Sequence, residues 1–301
     1  DHAAVRGIGM RVIREGVPWH QIDAHGALEL STFDRLVEAT IRHELTPIWD
    51  LFHYGFPDDL DPFRGGFAER FAHFAGAIAK RRRQLAGPGG WYTPVNEPSF
   101  MAWAGGEVGA DPVCHAVAPA DAPELAEEAA EFTGYQWQAW DMLAGTGWHD
   151  FGGGPELLDV IGVNYYLTGQ WEHRRGGHLP FDDPRRKPFR EMLGDVAHRY
   201  PGHPIVVAET GCWGDLRVPW LRMIAEECRA AIADGVPLMG VCLYPLIDMT
   251  EWHAGHWMKF GAWDVESVGG RLERRAYAPL LAELANQRAT DRFRQIGPKG
   301  G

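Results

Sequence analysis

Residues Trp91-Tyr-Thr-Pro-Val95 form a short apolar run that leads directly into Asn96-Glu97-Pro98, and Pro204-Ile-Val-Val-Ala208 leads in the same way into Glu209-Thr210-Gly211. Both runs predict β-strands, because they are short, apolar and followed by residues that favour turns. Each predicted strand therefore ends next to a glutamate. Since an α/β barrel carries its functional side chains at the C-terminal ends of parallel strands, the two carboxylates indicate where a site would lie.

The composition is that of an ordinary globular protein. The chain has 301 residues, of which 45% are hydrophobic and 23% are charged. Because α/β barrels of this length often form one unit, we expect a single catalytic domain over residues 1–301. The formal net charge of −12 disfavours contact with a phosphate backbone, so no nucleic-acid partner is expected.

Neither a membrane partner nor an exported protein is indicated. The sequence has no apolar stretch of about 18 residues that would cross a bilayer, and residues 1–7 lack the regions of a signal peptide. The four cysteines (Cys114, Cys212, Cys228 and Cys242) are far apart and form no CxxC pair. They predict buried thiols in a reducing compartment, hence a cytoplasmic protein, and their spacing does not suit zinc.

Strand and helix patterns alternate along the chain. The predicted strands are Gly9–Arg14, Leu45–Phe52, Trp91–Val95, a weak one near Val113–Val117, Asp159–Tyr166, Pro204–Ala208 and Leu238–Tyr244. The predicted helices are Ser31–Ile41 with Ser31 as N-cap, Phe67–Arg83, Pro123–Leu143, Phe189–His198, Val218–Asp234 and Leu272–Gln287. This order predicts a parallel sheet with helices outside it.

Two α/β architectures have this alternation. A doubly wound nucleotide-binding sheet lacks support, because no glycine-rich phosphate loop follows the first strand. Polar side chains instead follow many different strands, which is typical of a (β/α)8 TIM barrel. These side chains are Arg14, His53, Glu97, Tyr166, Glu209 and Glu251.

At these positions the sequence resembles glycoside hydrolase family 1, the β-glucosidase family of the retaining (β/α)8-barrel clan. Four blocks carry the resemblance in the family's order: Thr93-Pro-Val-Asn-Glu-Pro98, Asp159–Tyr166, Val207-Ala-Glu-Thr-Gly211 and Tyr244–Trp252 leading to Phe260–Trp263. Weaker matches precede them at Gly9–Trp19 and Phe52–Pro57. The resemblance covers nearly the whole chain and implies a β-glucosidase-like hydrolase.

The resemblance also implies roles. Glu97 would be the general acid/base and Glu209 the nucleophile, while Asn96 would hold the sugar 2-hydroxyl. Arg14 and Tyr166 would contact Glu209 and keep it ionised and aligned. The residues that would line the sugar-binding subsite are His53, Asn164, Tyr244, Glu251 and Trp252.

The chemistry agrees with these roles. Two carboxyl groups in unlike surroundings can divide the work of proton donor and nucleophile, and a retaining enzyme holds them roughly 5–5.5 Å apart. Such a double displacement needs no metal or organic cofactor. The expected substrate is a small β-glycoside or oligosaccharide; the sequence does not indicate the sugar or the oligomeric state.

The sequence departs from the family in three places. The family's first strand, which carries a sugar-binding glutamine, has no counterpart. No helix fits between Trp103 and the weak strand near Val113–Val117, that is, after strand four. Tyr54 and Tyr244 stand where the family usually has tryptophan. The sequence leaves open whether the barrel is incomplete or whether parts of it lie outside this sequence.

Other functions are compatible with the same scaffold. Aromatic acceptor subsites would favour sugar transfer over hydrolysis, and an incomplete barrel would suit a non-catalytic carbohydrate-binding relic. The joint presence of Glu97, Glu209, Arg14 and Tyr166 argues against the relic, because a binding protein needs no supported nucleophile. Metal-dependent hydrolysis lacks a convincing ligand set.

Overall fold

The computed structural model describes residues 1–105, 114–251 and 255–290. These residues form two compact units, one comprising Asp1–Pro98 and the other beginning at Ser99. Among them, no helix has both the length and the apolar character that a membrane crossing requires. The expectation of one catalytic domain over residues 1–301 stays a prediction.

The first unit is built on a parallel sheet. Its elements are α1 (His2–Gly7), β1 (Val12–Gly16), α2 (Trp19–Ile22), β2 (Asp23–Ala24), β3 (Ala27–Leu28), α3 (Ser31–Arg42), β4 (Thr46–Asp50), α4 (Phe67–Ala86) and β5 (Trp91–Thr93). The strand order is β1-β4-β5, and all pairs are parallel. Asp50 pairs with Gly16 and Thr93, so the three strands end at the same level and the residues that follow them come together.

An aromatic cluster forms the core of the first unit. Trp19 is fully buried, and its ring lies 5.3–5.7 Å from the rings of Phe52, Phe67, Phe71 and Phe74. Three of these phenylalanines recur at helical spacing on α4, which explains why that helix packs here. The cluster lies under the segment that follows β4.

The expected cap of α3 is wrong. Ser31 is the first helical residue, and Leu30 is the N-cap without a side-chain bond. The Ser31 hydroxyl instead donates to Glu29 Oε2 at 2.6 Å. The Ser31 backbone N–H also donates to Glu29 Oε1, at 3.1 Å, so the Glu29 carboxylate satisfies one of the first N–H groups of the helix.

The second unit contains a second parallel sheet. Its elements are α5 (Pro98–Gly105, beginning one residue before the unit), β6 (His115–Val117), α6 (Ala126–Gly134), α7 (Gln138–Ala144), β7 (Ile161–Tyr166), β8 (Gln170–Glu172), α8 (Phe189–Arg199), β9 (Ile205–Gly211), α9 (Arg217–Ala233), β10 (Leu238–Leu243), β11 (Met249–Thr250), β12 (Trp257–Met258), β13 (Trp263–Val268), β14 (Arg271–Ala276) and α10 (Ala278–Thr290). The main sheet has the order β10-β9-β7. Helices α8 and α9 cover it; the Phe189 ring stacks on Tyr165 at 4.2 Å.

Two predicted helices differ from the structure. The helix predicted over Leu272–Gln287 begins at Ala278, because residues 271–276 pair as β14 with β13 in an antiparallel hairpin. Gly269 and Gly270, both at positive φ, form the turn that makes this pairing possible. The long helix over Pro123–Leu143 is interrupted by 3₁₀ turns, so that α6 ends at Gly134.

The region after Glu97 also holds a helix. The sequence left no room for a helix between Trp103 and the weak strand near Val113–Val117. Helix α5 begins at Pro98, before that interval. Residues 106–113 lie outside the described part of the chain. β6 lies where the weak strand was predicted, and its parallel partner is β8, which the sequence analysis did not predict.

Replacing Trp19 by alanine is expected to lower the free energy of unfolding by about 3–5 kcal/mol, because it empties the centre of the aromatic cluster. Urea unfolding monitored by circular dichroism measures this loss. The matched control is Trp257→Ala, since Trp257 is 45% exposed whereas Trp19 is 0% exposed. Equal destabilisation by both changes would contradict the central place of Trp19.

Candidate active site

In the first unit, the predicted residues gather around a carboxylate that the sequence analysis missed, Asp50. Arg14 Nη2 lies 2.8 Å from Asp50 Oδ2, and His53 Nδ1 lies 2.7 Å from the same oxygen. Arg14 Nη2 also donates to Asn96 Oδ1 at 2.6 Å. Asp50 is the last residue of β4. The predicted strand continued to Phe52, so Asp50 fell inside it and not at its end, where the sequence analysis sought functional side chains.

Asn96 connects this cluster to Glu97. Asn96 is buried, and its backbone N–H donates to the Phe52 carbonyl at 2.9 Å. Its side-chain Nδ2 donates to the Tyr54 hydroxyl at 3.1 Å and lies 3.5 Å from His53 Nε2. The Tyr54 hydroxyl in turn donates to Glu97 Oε2 at 2.6 Å. The structure thus brings together four of the predicted residues and adds Tyr54.

The backbone at both ends of this last bond is unusual. Tyr54 has φ +67° and Glu97 has φ +40°, in the left-handed region that residues with a side chain rarely adopt. Each such conformation costs on the order of 1–3 kcal/mol, so surrounding contacts must hold it. Strain of this kind concentrates at functional sites.

In the second unit, Glu209 lies inside a strand and not after it. β9 continues to Gly211, because Thr210 pairs with Tyr165 of β7 on one side and with Leu243 of β10 on the other. Glu209 is buried, and the Tyr166 hydroxyl donates to its Oε2 at 2.7 Å. Asn164, also buried, is the register partner of Glu209 on β7.

Aromatic rings surround the end of this sheet. Tyr166, Tyr244 and Phe260 lie edge to face, with centroids 6.3–6.5 Å apart. A Cβ atom at Gly211 would lie 1.9 Å from the Tyr244 carbonyl oxygen, so only glycine permits this close approach. The Tyr244–Pro245 peptide bond is cis. Tyr244 therefore occupies a defined place beside Tyr166.

A second carboxylate that the sequence analysis did not assign to the site, Asp248, shapes the following loop. Its Oδ1 accepts from the N–H groups of Phe260 and Gly261 at 2.8 and 2.9 Å, and its Oδ2 accepts from Val265 N–H at 2.9 Å. The same loop carries Glu251, which is half-buried and whose backbone N–H donates to His256 O at 2.8 Å. The predicted Trp252 lies outside the described residues.

Two expectations stay predictions. Arg14 and Glu97 belong to the first unit and Glu209 to the second, so neither the Arg14–Glu209 contact nor the separation of the two glutamates is tested. Within the described ranges, no group of three or more His, Cys, Asp or Glu side chains is arranged to hold a metal.

The family model for glycosyl hydrolase family 1 matches residues 185–279. Aryl-phospho-β-D-glucosidase BglC of Bacillus subtilis is 23% identical over 87% of this chain and 79% of its own length. Thermostable β-glucosidase B of Thermobispora bispora is 34% identical, over 36% of this chain and 25% of its own length. The chain is thus similar to family 1 glycoside hydrolases in sequence, and these matches support β-glycosidase activity.

The chain is also similar to solved structures of family 1 β-glucosidases. The family 1 β-glucosidase of Thermotoga maritima superposes with a TM-score of 0.73 and 16% identity, over 96% of this chain and 85% of that one. That enzyme has also been solved with glucoimidazole and with deoxynojirimycin. Likeness at this level of identity shows the fold, that of the family's (β/α)8 barrels, and confirms the predicted fold class.

Replacing Asp50 by asparagine is expected to lower the free energy of unfolding by about 3–5 kcal/mol, because the buried Arg14 charge loses its counterion. The Arg14 and Asp50 side chains are only 10% and 3% exposed. Chemical denaturation measures the change.

The control is Asp34→Asn, whose partner Arg81 lies at 2.6 Å in a pair that is 35% and 24% exposed. That pair should contribute only about 0–1 kcal/mol. If Asp50→Asn unfolds like Asp34→Asn, Asp50 does not hold the cluster.

Proposed function

We propose that this chain, similar to family 1 glycoside hydrolases in sequence and fold, is a retaining β-glycosidase with Glu209 as nucleophile and Glu97 as general acid/base. One observation carries the assignment. Each glutamate lies at the C-terminal end of a parallel strand and accepts a hydrogen bond from a tyrosine, Tyr166 for Glu209 and Tyr54 for Glu97. A lone surface glutamate would have no such support.

The reaction proceeds in two displacements. In the first, a Glu209 carboxylate oxygen forms a bond to the anomeric carbon while the glycosidic bond breaks, and Glu97 gives its proton to the departing oxygen. In the second, Glu97 takes a proton from water, the water oxygen attacks the anomeric carbon, and Glu209 leaves as a carboxylate. The configuration at the anomeric carbon is retained.

The surroundings of the two glutamates suit these roles. Glu209 is buried within a strand that is paired on both sides, so its position is rigid, and the Tyr166 phenol donates to its Oε2. Glu97 is half-buried and follows a short strand. We therefore assign attack to the fixed carboxylate and proton transfer to the more accessible one.

We propose that Asn96, His53 and Asn164 hold sugar hydroxyls, because amide and imidazole groups both donate and accept hydrogen bonds. Tyr244 offers a ring face, and Glu251 and Trp252 complete the subsite by resemblance. The expected substrate is a small β-glycoside or short oligosaccharide. Because a relative is named as an aryl-phospho-β-D-glucosidase, the assays should include aryl β-glucosides with and without a phosphate on the sugar.

We further propose that one catalytic domain acts without metal or organic cofactor, since two carboxylates suffice for the chemistry. The net charge of −12 supports the absence of nucleic-acid and membrane partners. The cysteines support a cytoplasmic location, because they are far apart in the sequence and form no CxxC pair. Burial raises the pKa of the Cys212 thiol to about 11, so that it stays protonated.

Incubation with activated 2-deoxy-2-fluoro β-glycosides, gluco and galacto in parallel, should add one sugar to the intact protein. The fluorine slows the second displacement, so the covalent intermediate accumulates. Mass spectrometry after proteolysis should locate the sugar on Glu209.

The adduct should be absent in Glu209→Ala and present in Glu226→Ala, which changes an exposed glutamate of α9. A sugar attached to any other residue, or an adduct that persists in Glu209→Ala, would remove Glu209 as nucleophile. Failure of both sugars to label a folded protein would contradict the retaining mechanism.

Replacing Glu97 by alanine should lower kcat/KM by about 10²–10⁴-fold for alkyl β-glycosides, whose leaving groups need a proton. Dinitrophenyl glycosides, whose leaving groups need none, should be affected far less in the first displacement. Steady-state and burst kinetics over a leaving-group series separate these cases. Glu69→Ala, at an exposed position of α4, is the control, and a loss that is independent of the leaving group would contradict the acid role.

A further inference from the structure

We propose that Tyr54 is a positioning residue for proton transfer: its phenol donates to Oε2 of Glu97 and holds the carboxyl group in a fixed direction. The inference rests on the proposed acid/base role of Glu97. It concerns a residue that the resemblance does not assign, because the family usually has tryptophan at this place.

The direction of the phenol proton follows from the donors around Asn96. Arg14 has only donors, and its Nη2 contacts Asn96 Oδ1 at 2.6 Å, so the amide oxygen must face Arg14. The amide nitrogen then faces Tyr54 and donates to its hydroxyl at 3.1 Å. A phenol that accepts there directs its single proton elsewhere, and the Glu97 Oε2 atom lies 2.6 Å away.

The orientation of Arg14 is itself determined. Asp50 Oδ2 lies 2.8 Å from Arg14 Nη2 and 2.7 Å from His53 Nδ1. Both Arg14 and Asp50 are largely buried, so this pair cannot exchange partners with water at low cost. The buried Arg14–Asp50 ion pair therefore fixes the direction of the hydrogen bonds that lead through Asn96 and Tyr54 to Glu97.

Tryptophan could not perform this function. Its indole N–H donates but accepts nothing, so it could not receive the Asn96 amide proton and orient a donor toward Glu97 at the same time. The φ of +67° at Tyr54 and +40° at Glu97 is maintained against the ordinary backbone preference by surrounding contacts, and this hydrogen bond is one of them. Tyrosine at this position thus changes the hydrogen-bonding network and not only the size of the ring.

The bond has a consequence for catalysis. A hydrogen bond donated to a carboxylate favours its charged form, so the phenol makes Glu97 the stronger acid toward the leaving oxygen. In the described part of the first unit, the charged and titratable groups around the pair include Arg14, Asp50 and His53.

The test is Tyr54→Phe, which removes the hydroxyl and keeps the ring. The limb of the kcat/KM pH profile that falls at high pH should move to higher pH, because Glu97 loses a donor to its charged form. For alkyl glycosides, kcat should fall about 10–100-fold, the range expected for one hydrogen bond to a charged group. Dinitrophenyl glycosides should be little affected.

Tyr135→Phe is a matched control, because the Tyr135 hydroxyl donates to Glu131 at 3.0 Å on an exposed helix surface. It should leave both the profile and the rates unchanged. A second variant protects the test against misfolding: 3-fluorotyrosine at position 54 is a stronger donor and should move the same limb to lower pH.

The outcomes separate the two proposals. If the unaltered protein forms no 2-fluoro glycosyl adduct, the proposed function fails. If the adduct forms on Glu209 in both the unaltered protein and Tyr54→Phe, but the limb and the leaving-group dependence do not move, the positioning role of Tyr54 is overturned and the function stands. An unmoved limb with 3-fluorotyrosine overturns it equally.

Discussion

The pairing of the buried Asp50 carboxylate with Arg14 and His53 is the interaction on which the first unit's site depends. A buried charge without a partner costs several kcal/mol, so the three groups can be kept only together. Asp50 ends β4, and its register with Gly16 and Thr93 brings the ends of three strands to one level. Sheet register and ion pair therefore support each other.

The two glutamates are held in different ways. Glu209 lies in a strand paired on both sides, whereas Glu97 follows a short strand with its backbone in the left-handed region. A carboxylate buried as deeply as Glu209 is stable as an anion only if donors or a cation replace its lost hydration. Tyr166 supplies one such donor.

The sequence predicted the features that depend on local pattern. Apolar runs located the main strands, and their ends located the glutamates. The sequence analysis missed features that depend on contacts between distant segments. Asp50 resembles any other aspartate in a strand, and only its contact with Arg14 of another strand marks it as important. Residues 271–276 are charged enough to suit a helix, and only pairing with β13 across Gly269–Gly270 makes them a strand.

The number of hydrogen-bond donors does not by itself distinguish the two glutamates. Tyr54 and Tyr166 donate to Glu97 and Glu209 over almost equal distances, 2.6 and 2.7 Å. Two such similar bonds do not by themselves assign different roles to the two groups. The two glutamates differ in burial, and also in what contacts each phenol. The Tyr54 hydroxyl accepts from the Asn96 amide, which is oriented by a buried ion pair. The Tyr166 ring packs against the rings of Tyr244 and Phe260. Under the proposed roles, a change at Asn96 would reach the acid/base Glu97 through the Tyr54 phenol. The rings around Tyr166 would instead hold that phenol beside the nucleophile Glu209.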